Sequence, residues 1–436
     1  MKDHQVNVGI IGLGTVGTGV ARVLLEQKEL LKNRSKLSFH LKTIVELDWS
    51  KERGLDLTDI RCTTKVEDLL DDPEINIVVE TIGGYEPAFS FITRALRNRK
   101  HVVTANKALI ATRGIELYKI AQENGVDLLF EASVGGGIPI IKGLREGLVA
   151  NRFESIYGIL NGTSNYILTK MHKDGLEFSE ALKGAQANGY AEADPTLDLS
   201  GKDAAHKLAI LGSIASNSFI PYEKLYVEGI TGITKMDIAF AQSFGFTIKL
   251  LAIYRQMKDG VDMRVHPTLI KDSHLLAAVN NELNAIFVKG DFVGNTMFYG
   301  PGAGERPTAS AIVSDIVDLS KDLLLKEGEK YCNRAISLTE TVNLIPIEEV
   351  TNRFYLRFLT LDIPGVLSMI SGVLAEHGIS ISSMVQLENQ EKDNYIPIVL
   401  LTHEAQEKSM EHALQKILKF DFVRENYLRM RIFKDA

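Results

Sequence analysis

The stretch Val6-Asn7-Val8-Gly9-Ile10-Ile11-Gly12-Leu13-Gly14-Thr15-Val16-Gly17 decides the fold of this chain. Val6 to Ile11 is a short apolar run bounded by glycine, the pattern of a strand buried on both faces in a parallel sheet. Beyond it Val20, Val23, Leu24, Leu30 and Leu31 recur at helical spacing, which predicts a helix over Val16–Lys32. The glycines between have separate tasks. Gly12 permits a tight turn, Gly14 lets a pyrophosphate approach the backbone, and Gly17 allows close packing of helix on strand. The first helical N–H groups, with the positive end of the helix dipole, suit a phosphate. A lone GxGxxG is a weak signal. Following a strand and opening a helix, it predicts a dinucleotide site at Gly12, Gly14, Thr15, Val16 and Gly17. The plainer alternative is a glycine-rich turn with no ligand.

The flanking pattern agrees. Strands are predicted at Phe39–Val45, Ile75–Glu80, His101–Ala105 and Val126–Phe130, alternating with helices at Ala88–Arg97 and Gly114–Asn124. Such alternation implies βαβ units and a parallel sheet. The expected fold class is therefore α/β, with a Rossmann-type nucleotide domain over residues 1–134. A helix at Thr308–Leu325, within 305–330, is expected to pack back on that domain. Gly135-Gly136-Gly137-Ile138-Pro139 breaks the alternation. Residues 135–304 read as an α+β substrate and dimerisation domain, with helices at Ser164–His172, Phe178–Asn188 and Lys202–Ser216 and strands at Thr247–Tyr254 and Met263–Leu269. Residues 331–351, with Pro346, read as a linker. The order from 352 to 436 is strand, helix, strand, strand, helix, strand, which is a ferredoxin-like βαββαβ unit.

Composition excludes several classes. The 436 residues allow two or three domains, and 45% hydrophobic with 24% charged residues is ordinary for a globular protein. A formal charge of -7 argues against a general nucleic-acid binder. No run of about 18 uncharged apolar residues predicts a membrane helix. The two cysteines, Cys62 and Cys332, form no CxxC or metal-type spacing, which fits a reducing compartment and a cytoplasmic setting.

In parallel sheets ligands bind beyond the carboxyl ends of the strands. Thr81-Ile82-Gly83-Gly84, Asn106-Lys107 and Glu131-Ala132-Ser133 all fall there. Lys107, directly after an apolar strand, is expected to point into the cleft; a strand-end lysine in water is the alternative. For cofactor choice, an acid ending the second strand binds a ribose 2′-OH, which nominates Glu46 or Asp48. The gap from the fingerprint exceeds the usual ~20 residues. Lys51 and Arg53 are the rival candidates, as partners of a 2′-phosphate. The reading leans to NAD, with dual use open.

A second cluster lies downstream, in Glu192, Asp194, Asp198, Asp203 and Lys207. Its structural explanation is a capping box from Ser200 to Asp203 and an i,i+4 pair of Asp203 with Lys207, worth only ~0.2–0.5 kcal/mol on a surface. That leaves Glu192, Asp194 and Asp198 unexplained. Carboxylates around one lysine hold it cationic, and such an ammonium can protonate a developing alkoxide. A nearby acid can hold a substrate ammonium.

At this point the chain resembles the homoserine dehydrogenases. The resemblance rests on Glu80–Gly84, Lys100–Lys107, Glu131–Pro139, Asn161-Gly162-Thr163-Ser164-Asn165-Tyr166 and the Glu192–Lys207 block, in order through residues 6 to 325. The C-terminal unit resembles an ACT domain, with Asp362-Ile363-Pro364-Gly365-Val366-Leu367 at its first strand–helix turn. With no aspartate kinase ahead of it, the chain is expected to be monofunctional. The resemblance implies NAD(P)-dependent interconversion of L-homoserine and L-aspartate 4-semialdehyde. It makes Lys207 the proton donor and Lys107 the second lysine near the nicotinamide. Glu192 becomes a substrate ligand, with Asp203, Gly162 and Thr163 around it and Asp198 in support. It assigns Thr81 and the returning loop Gly302-Ala303-Gly304 to the cofactor. It implies a monovalent cation, usually sodium, held by the Glu131 side chain or carbonyl and the carbonyls of Val134, Gly136 and Ile138. It also implies a homodimer or homotetramer, and threonine feedback at Asp362, Pro364, Gly365 and Val366. A dimerisation module without a ligand is the alternative there. One departure stands out. Many relatives carry an arginine just past the second strand, where this chain has Leu47.

Two rival readings are an amino-acid-sensing protein on a dead dehydrogenase scaffold and another small hydroxy-acid or semialdehyde dehydrogenase. The intact Lys107 and Lys207 oppose the first, and the Glu192–Asp203 acids, suited to an ammonium-bearing substrate, oppose the second. Neither cysteine has a nucleophile's setting, which disfavours acyl-enzyme chemistry.

Overall fold

The computed structural model describes residues 5–321, 342–386 and 394–434. The chain forms two compact units. One comprises Met1–Phe153, His206–Lys224 and Val288–Val342, the other Glu154–Ala205, Leu225–Phe287 and Asn343–Ala436.

The first unit holds a six-stranded sheet of β1 (Gln5–Ile11), β2 (Ser38–Val45), β3 (Arg61–Thr63), β4 (Ile77–Glu80), β5 (His101–Thr104) and β6 (Leu128–Leu129). Its order is β3-β2-β1-β4-β5-β6, and every neighbouring pair is parallel. The order reverses between β1 and β4, and a crevice opens at such a switch point. Val8, Ile10, Ile77 and Val79 are fully buried, each worth roughly 1.5–3 kcal/mol relative to exposure. The helix Glu305–Lys321 completes this core with Ala309, Ile312, Ile316 and Leu319.

The predicted helix Val16–Lys32 is two helices, Thr15–Glu26 and Lys28–Ser35, broken at Gln27. The apolar stripe of Val20 and Leu24 meets a polar residue at Gln27, so the second helix buries no residue fully. The helix predicted from Gly114 starts earlier, at Lys107, because Asn106 caps it by accepting from the Leu109 N–H at 3.1 Å.

The remaining strands are β7 (Phe153–Ile159), β8 (Tyr226–Val227), β9 (Phe246–Met257), β10 (Gly260–Lys271), β11 (Leu283–Gly290), β12 (Gly294–Pro301), β13 (Thr351–Leu361), β14 (Ile381–Gln386), β15 (Tyr395–Thr402), β16 (Ala405–Gln406) and β17 (Leu428–Ile432). In the second unit, the sheet runs β11-β7-β9-β10-β17-β13-β15-β14. β13, the helix Val366–Glu376, β14, β15, the helix Glu407–Ile417 and β17 form the βαββαβ unit, with its own core around Phe354, Leu356, Ile370 and Leu414. This unit is not a separate sheet. β17 pairs in parallel with β10 at Thr268↔Arg431 and Leu269↔Ile432. The described end of the expected linker is also tied down, since Val261 donates to Asn343 and Ile345 donates back to Val261. The end of the helix expected at Thr308–Leu325, the stretch from 331 to 341 and residues 387–393 of the expected βαββαβ unit lie outside the described residues.

Candidate active site

The glycine loop has a shape that only these residues permit. Gly12 has φ +94°, and a Cβ on Gly17 would sit 2.0 Å from the Gly12 carbonyl oxygen. Thr81 fastens the loop from β4 by donating its hydroxyl to Gly12 O at 2.8 Å. Gly14 is the N-cap and offers no side-chain cap, while Gly14 and Thr15 are exposed and Val16 half-buried. The opening N–H groups of the helix Thr15–Glu26 are thus presented without a capping side chain, as a phosphate needs. These residues fit a dinucleotide.

The candidates for the ribose are used differently from one another. Glu46 accepts from the N–H groups of Leu13 (2.6 Å), Leu47 (2.9 Å) and Asp48 (3.1 Å). Burial pushes its carboxyl up, but those N–H groups and Arg53 outweigh burial and hold it below its ordinary value. Asp48 is turned to Ser50, whose hydroxyl and N–H keep it ionised. Arg53 clamps the loop, donating to the carbonyls of Leu13 (2.7 Å), Lys51 (2.8 Å) and Asp48 (2.9 Å). Leu47 is exposed. Arg53 therefore braces the loop, and Lys51 pairs with Asp48 at 3.7 Å.

Glu80, at the end of β4, orders the next loop. Fully buried, it accepts from Ile82 N–H (2.8 Å), Gly83 N–H (2.9 Å) and the Thr104 hydroxyl (2.5 Å). Asn106 ties that loop to the following helix by donating to Gly84 O at 2.7 Å. Lys107 is the first residue of that helix, not the last of the strand, and is half-buried.

Glu131 opens a short 3-10 turn, Glu131–Ser133, and its carboxylate accepts from Ile141 N–H (2.9 Å) and Lys142 N–H (2.8 Å). Burial first, and the charge of Asp315 second, push it up to about 7. Asp315 is itself pushed up to about 6, because complete burial outweighs Lys142 at 3.3 Å. Lys142 goes up too, since Asp315 and Asp318 outweigh its burial. Gly135 and Gly136 follow with φ +71° and +53°. A Cβ on Gly136 would lie 2.5 Å from Gly302 O, so the loop Gly302-Ala303-Gly304 rests against this turn. No group of three His, Cys, Asp or Glu side chains suited to a metal occurs among the described residues.

In the second unit the acids cluster around one residue that their sequence pattern did not reveal. Asn161 caps the helix Gly162–Asp174 through the Ser164 N–H and donates its amide to Asp198 (2.7 Å) and Asp203 (2.8 Å). The single hydroxyl proton of Thr163 is shared between Tyr190 O at 2.5 Å and the other oxygen of Asp198 at 3.0 Å. Gly162 is needed for packing, as a Cβ there would meet Glu282 O at 2.7 Å. Asp194 stands apart, capping Thr196 and exposed. Glu192 is exposed, and its carboxylate has no hydrogen-bond or ion-pair partner among the described residues.

Ser200 does not directly precede the helix it was expected to cap. Ser200 ends the short helix Thr196–Leu199, its hydroxyl donating to Leu197 O at 3.3 Å. Gly201, at φ +82°, then turns the chain into the helix Lys202–Ser216. Asp203 is buried in its first turn, and Lys207 is half-buried one turn later. In the C-terminal unit Gly365 (φ +93°) is the uncapped N-cap of the helix Val366–Glu376. Asp362, Pro364 and Gly365 are exposed and Val366 buried.

Residues 12–131 match the NAD binding domain of homoserine dehydrogenase, residues 139–317 the homoserine dehydrogenase family, and residues 354–422 the ACT domain. A homoserine dehydrogenase from Pseudomonas aeruginosa is 42% identical over 98% of each chain. A crystal structure of a homoserine dehydrogenase from Thiobacillus denitrificans superposes with TM-score 0.92, at 44% identity over 98% of each chain. A hyperthermophilic archaeal homoserine dehydrogenase in complex with NADPH covers 74% of this chain and 99% of its own, at 27% identity and TM-score 0.62.

Proposed function

Because the chain belongs to the homoserine dehydrogenase family, oxidoreductases that act on a CH–OH group, we propose that it interconverts L-aspartate 4-semialdehyde and L-homoserine with NAD(P)(H). The observation that carries the residue assignments is the Asn161-bridged pair Asp198 and Asp203, with Lys207 one turn along the same helix as Asp203. When bound, the nicotinamide supplies the hydride to the aldehyde carbon. Lys207 donates the proton to the aldehyde oxygen, and Lys107 places a second ammonium there, so two fixed positive charges meet the developing alkoxide. Glu192, an open acceptor, takes the substrate ammonium. Asp198 and Asp203, held by Asn161 and Thr163, keep the lysine-bearing helix in register and complete the polar wall with Gly162.

For the cofactor, Gly12, Gly14, Thr15, Val16 and Gly17 take the pyrophosphate. Thr81 and the loop Gly302-Ala303-Gly304 border it. Glu46 and Asp48 follow the end of the second strand, where a ribose 2′-OH is read, and Leu47 offers no cation. This favours NADH being used at least as well as NADPH. Initial rates on aspartate semialdehyde with each cofactor, with and without threonine, test the whole reading. No reduction with either cofactor would overturn it. Threonine feedback is assigned to the turn Asp362, Pro364, Gly365 and Val366, within a cytoplasmic homodimer or homotetramer. Sedimentation would read the assembly.

Glu192→Asp shortens the ammonium ligand by one methylene. The expected result is a KM for aspartate semialdehyde raised several-fold, with kcat little changed. An unchanged KM would remove Glu192 from the substrate.

A monovalent cation, sodium, is assigned to Glu131 with the carbonyls of Val134, Gly136 and Ile138. A turn at positive φ beside a buried carboxylate suits a hard cation. The pH dependence has a definite sign. The Glu131 carboxyl is raised from 4.5 to about 7, so the folded state holds a proton there that the unfolded chain has lost. Its contribution is present below about pH 4.5 and lost as pH rises to about 7. A bound cation neutralises the carboxylate that then forms. Sodium chloride, compared with choline chloride at equal ionic strength, should therefore raise Tm more at pH 8 than at pH 5.5. An equal effect at both pH values would count against the site.

A further inference from the structure

Where β17 of the C-terminal unit pairs with β10, the second unit has a pocket of ≈ 40 Å³. A single water needs about 10–15 Å³ by this measure, so the space suits one small ion or a few waters. Its lining is strongly cationic. Arg255, Arg264, Arg353, Arg431 and Lys434 border it, against one acid, Glu404. Most of these charges are already answered. Arg255 pairs with Asp262 at 2.6 Å, Arg431 with Glu407 at 2.8 Å, and Lys434 with Glu404 at 2.6 Å.

Arg264 differs. It is 3% exposed, and only its Nη2 is engaged, by Asn352 Oδ1 at 3.0 Å and Asp262 at 3.5 Å. Its Nε and Nη1 are buried with no partner, and so is Nε2 of His266, which is 1% exposed. Both residues line the pocket. Buried donors without acceptors are costly, more so when charged. Nδ1 of His266 lies 3.1 Å from the Pro267 carbonyl, which can only accept, and 2.9 Å from the Thr268 hydroxyl, which itself donates to His266 O at 3.1 Å, so the ring proton sits on Nδ1 and Nε2 is an acceptor. Burial first, then Arg431 and Arg264, hold this ring well below its ordinary value, so it stays neutral.

We propose that this pocket binds one small oxyanion, a phosphate or a carboxylate, on the Nε and Nη1 of Arg264. The anion completes the joint between β10 and β17 and thereby fastens the βαββαβ unit to the sheet. The site is distinct from every residue assigned to the reaction and stands independently of that assignment.

The test uses the full-length protein saturated with NAD(P)H, so that the glycine loop is already filled. Inorganic phosphate and acetate are titrated in separate arms at ionic strength held constant with sodium chloride. One or both should raise Tm saturably by at least about 2 °C, and the effective arm identifies phosphate or carboxylate as the preferred anion. Arg264→Gln should abolish the rise. A flat response in both arms, or a rise that a folded Arg264→Gln protein retains, overturns the proposal. If that variant does not fold, wild-type crystals soaked in selenate decide, with anomalous density at Arg264 supporting the site and its absence refuting it.

Discussion

Alanine in place of Lys207 is expected to lower kcat for aspartate semialdehyde reduction by about 10²–10⁴-fold, the usual contribution of a positioned general acid. The fold should survive. Lys207 is half-buried on the helix Lys202–Ser216, whose packing rests on Ala204, Ala205, Leu208 and Leu211, and alanine is the best helix former. Cofactor affinity, read by quenching of nicotinamide fluorescence, should stay near wild type. Lys207→Arg separates two explanations. A guanidinium keeps the positive charge but does not give up its proton in the accessible pH range. If proton donation is the task, arginine should fail almost as badly as alanine. If charge alone matters, it should rescue. Near-normal turnover in a folded Lys207→Ala protein would remove this residue from the chemistry.

Asp237→Ala should destabilise the protein by about 3–5 kcal/mol, the cost of breaking a buried ion pair from one side. Asp237 is 0% exposed on the helix Lys235–Ser243. Its carboxylate accepts from Arg357 Nε at 2.7 Å and the Tyr355 hydroxyl at 2.9 Å, both on β13, and from Thr234 N–H at 2.9 Å. Removing it strands a guanidinium that is 3% exposed and whose Nη2 is already without a partner. Asp237→Asn, which keeps the shape and loses the charge, should cost less. Pairing Asp237→Ala with Arg357→Met should recover part of the loss, because the stranded charge goes too. Urea unfolding of the four proteins reads this directly. A loss under about 1 kcal/mol for the alanine variant would show that the pair contributes little to holding β13 in place.

Much of the nucleotide half was legible because its signals are local. The helix Ala88–Arg97 was predicted to the residue, since its apolar stripe and flanking polar residues sit in one short window. The strand Phe153–Ile159 and the hairpin partners Leu283–Gly290 and Gly294–Pro301 were not predicted. The last has an exposure pattern too mixed to betray a strand without its neighbour. At the proposed site, Lys107, Lys207 and the acids were nominated by residue type and by resemblance. Asn161 was quoted within a motif but given no role. Only its distance from Asp198 and Asp203 shows the second use of its side chain.

The amino-acid order by itself determined the turn at Gly12, the packing at Gly17 and the alternating strands and helices around them. Those features follow from steric limits and periodicity acting over a few residues. Tertiary structure alone decided that Glu46 serves the Leu13 N–H, that Asn161 joins two aspartates 37 and 42 positions away, and that β17 closes onto β10. Each of those pairs residues far apart in sequence. A buried polar group must find whatever partner the fold brings within about 3 Å, and local patterning carries no record of which partner that is.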